Sequence, residues 1–131
     1  MNAVELDDVT VLRGQNPVVG PVDFVLPMGE RAVIAGQNGA GKTSLLLAAL
    51  GLLPARGRIL VLGLEVGGRA WRQQRSRVAY VNQGAVQVDF PISTDEVVGI
   101  GLIGSRPGRR ERSARIRAAM ELTGSQALLG R

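Results

Sequence analysis

The sequence contains no cysteine and no histidine. Disulfides, thiol nucleophiles, thiolate or imidazole metal sites and an imidazole general base are thereby excluded. Aromatic residues are scarce: two Phe, one Trp and one Tyr in 131 residues, too few for a platform on which successive bases of a single strand would stack. Long hydrophobic runs are missing as well. The longest nearly unbroken one, Leu45–Leu53, falls far short of the ~20 residues that a membrane-spanning helix needs. The N-terminus, MNAVELDD, is acidic and has no apolar stretch of the signal-peptide kind, so a cytosolic chain is expected. Lysine is almost absent too. Of sixteen basic residues fifteen are arginine, and the one lysine is Lys42.

What is present fits a turn-rich globular chain of one domain or part of one, with 45% apolar residues, 18 glycines and six prolines. The net charge of +5 is unevenly placed: residues 1–54 hold three basic and five acidic groups, residues 55–131 thirteen and six. A basic half suits an anionic partner such as nucleic acid or a membrane surface. It equally suits a solvated arginine face.

Pattern predicts strands over AVELDDVTVL (residues 3–12) and PVDFVL (21–26), each closed by a turn. RAVIAG (31–36) is a short continuous apolar run, as expected of a buried strand. TSLLLAALGLL, from Thr43, reads as a helix ended by Pro54 and Gly57. GRILVLG and VAYVNQ (Val78–Gln83) are further strand candidates, with WRQQRSR between them an exposed connector or a helical turn. GAVQVDFP (84–91) looks extended, because the residue before a proline avoids helical angles. Ser93 and Glu96 form an S-x-x-E capping box that opens a helix running to about Ile103. A last helix is predicted over RRERSARIRAAMEL, with Ile116, Ala119, Met120 and Leu122 at helical spacing and Gly124 as its stop.

Between the RAVIAG run and the first helix lies GQNGAGKTS, residues 36–44. Gly36, Gly41, Lys42 and Thr43 meet the pattern G-x-x-x-x-G-K-[ST] in full. Gly36, Gly39 and Gly41 permit backbone angles closed to other residues and a close approach to a ligand. The N–H groups of Gln37, Asn38, Ala40 and their neighbours through Ser44 can then converge on phosphate oxygens. The following helix adds the positive end of its dipole, roughly half a unit charge. Lys42 is the compact point charge for the β- and γ-phosphates, and Thr43 offers a hydroxyl to Mg²⁺. A Ras-type GTPase would also need N-K-x-D, and the sole lysine is already in the loop. A small P-loop kinase with Arg106–Arg117 as a lid is an alternative, as is nucleic-acid binding by those same arginines.

With strand VAYVNQ about 40 residues after Lys42, the chain resembles the ATP-binding subunits of ABC transporters. The stretch QVDFPISTDEVVGIGL is similar to the zinc and manganese importer branch. The resemblance implies an α/β P-loop NTPase core of the RecA-like type, its front half, over residues 1–89. It implies the start of a helical subdomain over 90–131. It implies ATP and Mg²⁺ as cofactors, with Gln83 as the Q-loop glutamine whose amide oxygen contacts Mg²⁺ and the attacking water. A membrane permease would dock on the region after Gln83, and a second ATP-binding subunit would close over the nucleotide. The expected place is the cytoplasmic face of the membrane. Arg13 aligns where the family carries an aromatic that stacks on adenine, and a guanidinium can stack on a π-face too; a solvent-facing turn residue is the other reading.

The family's L-S-G-G-Q signature, its Walker B aspartate with the catalytic glutamate, and its switch histidine have no counterpart in these 131 residues. ATP·Mg binding with little or no hydrolysis by this chain alone is therefore expected. The chain would then be a fragment, a truncated product, half of a split subunit or an interaction module. Exposed apolar surface is expected where the further strands of such a core would pack.

Overall fold

The computed structural model describes residues 1–84 and 91–131. They form two compact units, Met1–Val81 and Asn82–Arg131.

The first unit is built on a hairpin of two long strands, β1 (Asn2–Arg13) and β2 (Asn16–Pro27). Both are rich in valine, whose branched side chain suits a pleated surface. β3 (Ala55–Val61) pairs with β1, and the short β4 (Leu64–Glu65) pairs with β3. The order is β2-β1-β3-β4 and every pair is antiparallel. Strict alternation would send Leu6 and Val9 to opposite faces, yet both are buried. The register shift at Asp7–Asp8 reconciles them. Asp8 adopts a left-handed φ of 50°, and its N–H donates to Asp23 Oδ1 at 2.7 Å. The bulge presses on β3 at Gly57, where a Cβ would lie 2.6 Å from the Asp7 carbonyl oxygen. Only glycine fits there.

Helix α1 (Lys42–Ala49) packs on β1 and β3, and α2 (Arg69–Gln74) follows β4. Leu6, Val9, Val11, Ala48, Ile59, Val61 and Trp71 form the core of this unit. The leucine, valine and isoleucine side chains among them each contribute about 1.5–3 kcal/mol when fully buried. Trp71 corrects the expected exposed connector: the helical turn of α2 carries it inward, to 3% exposure, while the flanking arginines and glutamines stay in water. Residues 31–36 and 78–81 are irregular instead of the predicted strands, as are Asn82 and Gln83 beyond them. An apolar run becomes a strand only beside a hydrogen-bonding neighbour, and among the described residues neither run has one.

In the second unit the capping box is present at the start of α3 (Thr94–Ile100). Ser93 donates to Glu96 Oε2 through its backbone N–H at 2.9 Å and its hydroxyl at 2.8 Å. These bonds hold the Glu96 carboxyl below its ordinary pKa, the backbone bond contributing most. The helix ends at Ile100, short of Ile103, with Gly101 at its C-cap. Helix α4 (Arg109–Leu122) buries Ile116 and Met120, whereas Ala119 faces water and Leu122 is 89% exposed. Gly124, with φ 66°, turns the chain out of α4 and leaves Ser125 N–H donating to the Met120 carbonyl at 2.8 Å. Thr94 N–H closes this unit by donating to the Arg131 carbonyl at 2.7 Å. The segment 85–90, which holds most of the expected extended run and Asp89-Phe90 of the importer-like stretch, lies outside the described residues.

Candidate functional site

The loop 36–41 lies on the surface between the irregular 31–36 run and α1. Two of its glycines bend it sharply: Gly39 has φ 84°, and Gly41 has φ 83° with ψ 13°. Ala40 N–H donates back to the Gln37 carbonyl at 3.2 Å, closing the turn. Gly41 is also the N-cap of α1. Leu45 N–H donates to its carbonyl at 2.9 Å, so the amides ahead of Leu45 have no carbonyl behind them within the helix. Gly41 has no side chain to cap them, and the first turn of α1 carries no acidic residue. These N–H groups, together with the positive end of the helix, face the loop without an anionic partner from α1 itself.

Lys42, the first residue of α1, curls back over the loop. Its Nζ donates to the Gly36 carbonyl at 2.8 Å and to the Gln37 carbonyl at 2.7 Å. An ammonium has three N–H donors, so one is left for an outside acceptor. Thr43 is exposed and Ser44 is 8% exposed against the core side. The loop is thus drawn together around its lysine, with Gly36, Gln37, Ala40 and Lys42 joined by named contacts. Asn38 and Gly39 form the exposed tip.

Gly41 is tied to the sheet. A Cβ there would collide with Val19 Cγ2 and lie 3.2 Å from the Val18 carbonyl oxygen. Val18 and Val19 sit in β2, so the hairpin fixes the mouth of the loop. Sequence pattern gave Val19 no role beyond strand propensity, because nothing local records which strand a loop will touch. Arg13 is exposed at the tip of the same hairpin, where it pairs with Asn16. Asn16 is three residues along β2 from Val19, or roughly 10 Å at strand rise. Gln83 is the second residue of the second unit and is exposed.

Beside the loop, an open apolar cavity of about 710 Å³ runs between the sheet and α1. Leu6, Val22, Phe24 and Leu45 line it, with Lys42 and Thr43 at the α1 end. Val33 in its wall is 92% exposed. This is the exposed apolar surface expected from the sequence, and it sits next to the glycine loop.

A family model described as "ABC transporter" matches residues 19–131. The chain belongs to the ABC transporter family. Family membership makes this α/β chain a P-loop protein. Among curated relatives of this ABC chain, a "Zinc transport system ATP-binding protein TroB" of Treponema pallidum is 46% identical over 136 residues, covering 98% of this chain and 49% of the relative. A "Manganese transport system ATP-binding protein MntB" of Bacillus subtilis is 42% identical over 106 residues, covering 79% and 40%. A "Hemin import ATP-binding protein HmuV" of Pseudomonas putida is 30% identical over 129 residues, covering 98% and 50%. The chain spans about half the length, or less, of the curated relatives it matches. Among the described residues no helix is long and apolar enough to cross a membrane.

Proposed function

We propose that this chain is the nucleotide-binding front half of the energising component of an ABC importer for a divalent metal ion of the zinc or manganese kind. The observation that carries it is the loop itself. Two left-handed glycines bring unpaired helix-start amides to one side of a surface turn, and the only lysine sits among them. The metal class rests on the two relatives of highest identity named above, and the metal is cargo, not a resident cofactor.

The residues 36–44 are assigned to ATP. Gly36, Gln37, Asn38, Gly39, Ala40 and Gly41 cradle the phosphates through their backbone, with Lys42 on the outer phosphates and the amides of Thr43 and Ser44 completing the cradle. The Thr43 hydroxyl and the Gln83 amide oxygen are assigned to Mg²⁺, which keeps most of its coordination for water and phosphate. Mg²⁺ would supply charge neutralisation of the phosphates. Gln83 would also orient water. Arg13, at the hairpin tip, is assigned to stack on adenine. Residues 1–89 are assigned to a P-loop core of RecA-like type, and 90–131 to the start of the helical subdomain. A permease docks after Gln83, a second ATP-binding subunit covers the nucleotide, and the assembly works at the cytoplasmic face of the membrane.

Phosphoryl transfer requires a held nucleotide, a held metal, a positioned water and stabilised charge in the transition state. These residues supply the first and part of the second. The chain alone therefore binds Mg·ATP and does not turn it over at an enzymatic rate.

Calorimetry of Mg·ATP with wild type and Lys42→Ala tests the assignment. One ammonium donor is free for a phosphate oxygen, and a charge-assisted hydrogen bond is worth about 1.5–3 kcal/mol. At 1.4 kcal/mol per tenfold, the variant should bind about 10- to 150-fold more weakly. Equal affinities would remove the loop from the site, and a steady-state ATPase rate abolished by Lys42→Ala would overturn the non-hydrolysing assignment.

A further inference from the structure

The second unit holds a cavity of about 550 Å³ that plays no part in the nucleotide site. One wall is a face of α4. Arg109, Arg112, Ser113 and Arg117 line it, and their spacing of three, four and eight residues from Arg109 stacks side chains along one side of a helix. Ile116, from the same face, and Leu129 add an apolar floor.

Two of the cavity guanidiniums are held in place and none is in a salt bridge, although the charge of Arg112 reaches the nearby Glu96 carboxylate. Among the described residues the only salt bridge is Arg115–Glu111, outside the cavity. Arg117 donates to Ser113 Oγ at 3.2 Å. Arg112 is seated in a notch on α3: a Cβ placed on the buried Gly99 would lie 2.9 Å from its guanidinium carbon. The one carboxylate lining the cavity, Asp95, already accepts a hydrogen bond from Gly130 N–H at 3.3 Å. Three arginines less one aspartate leave a lining charge of +2.

We propose that this cavity binds a phosphate monoester dianion. The guanidinium forks take the phosphoryl oxygens in the paired geometry that suits them. The Ser113 hydroxyl adds a donor, and Ile116 with Leu129 receives the apolar body of the ester. A dianion matches the +2 lining, whereas a monocarboxylate leaves one charge uncompensated. A free phosphate ester and the headgroup of phosphatidic acid carry the same group, so both are sources of the ligand. The site is independent of the glycine loop, and its failure would leave the nucleotide assignment standing.

The test titrates the 131-residue chain with phenyl phosphate, following backbone amides by NMR. It is repeated in Lys42→Ala, where a response of the glycine loop is weakened and that of the cavity is not. Saturable shifts are expected at Asp95, Ser113, Arg117 and Gly130 in both proteins. Arg112→Gln and Arg117→Gln should each weaken this binding by about tenfold or more, the loss of one charged hydrogen bond. Arg110→Gln and Arg115→Gln remove the same charge from the same helix outside the cavity and should change it by less than about twofold, as surface charges do. Vesicles containing phosphatidic acid form the second arm. Binding that follows the same variant pattern and is displaced by phenyl phosphate assigns the headgroup as the source, and binding of phenyl phosphate alone assigns the free ester. No saturable shift at the cavity with either probe, or equal weakening by all four substitutions, overturns the proposal. Should Arg112→Gln lose its helical signal, the Arg117→Gln and Arg115→Gln pair decides.

Discussion

Gly41→Ala is the perturbation that most clearly separates a loop fixed by the sheet from a free surface turn. Two costs add at this position. Its φ of 83° lies in the left-handed region, where a non-glycine residue costs about 1–2 kcal/mol. The new methyl would also run into Val19 Cγ2, and overpacking of this kind costs about 1–3 kcal/mol. Gly39 is the internal control. Its φ of 84° is the same, but nothing lies within 4 Å of an added Cβ. Gly39→Ala should therefore cost only the backbone part. In urea denaturation of the chain, Gly41→Ala is expected to lose about 1–3 kcal/mol more than Gly39→Ala. In a Val19→Ala background that surplus should shrink, giving a coupling of about 1–2 kcal/mol in a double-mutant cycle. Equal losses at the two glycines, together with no coupling to Val19, would refute the packing of the loop against β2.

Trp71→Ala should destabilise the first unit by about 3–5 kcal/mol, the cost of emptying a large aromatic site, measured by circular dichroism because the only tryptophan is removed. Glu96 makes a pH-dependent contribution to α3. Its folded pKa is lowered by the Ser93 hydrogen bonds, so this stabilisation is fully present above the unfolded value of about 4.3. It is lost as pH falls through the folded value. Thermal melts between neutral and acid pH should show that dependence in wild type and a flatter one in Glu96→Gln.

Much of the site was legible because its signals are local. The spacing of Gly36, Gly41, Lys42 and Thr43 specifies a turn into a helix, and that is what forms. The Ser93–Glu96 box is likewise a four-residue device whose partners are neighbours in sequence. The strands β1 and β3 announced themselves by composition. The misses are non-local. RAVIAG and VAYVNQ have the texture of buried strands, but a strand exists only with a partner across a ladder, and apolar texture does not report whether that partner is within reach. Trp71 was hidden by its setting among arginines and glutamines, since one large side chain at 3% exposure is enough to turn a polar helix inward. The bulge at Asp7–Asp8 was equally invisible. Two adjacent aspartates inside the predicted strand carry no local mark of a bulge, and only the pairing with β2 and β3 shows that they let Leu6 and Val9 share a face.

Whether the loop 36–44 holds the phosphates of ATP is decided, without recourse to transport, by an amide-resolved NMR titration of the chain with Mg·ATP. The amides of Gly39, Gly41, Lys42, Thr43 and Ser44 are expected to shift together and saturate at the lowest nucleotide concentrations, and Lys42→Ala to move this response to concentrations about tenfold higher or more. Loop amides that stay still while the chain binds Mg·ATP, or that respond identically in Lys42→Ala, would contradict the assignment of the phosphates to this loop.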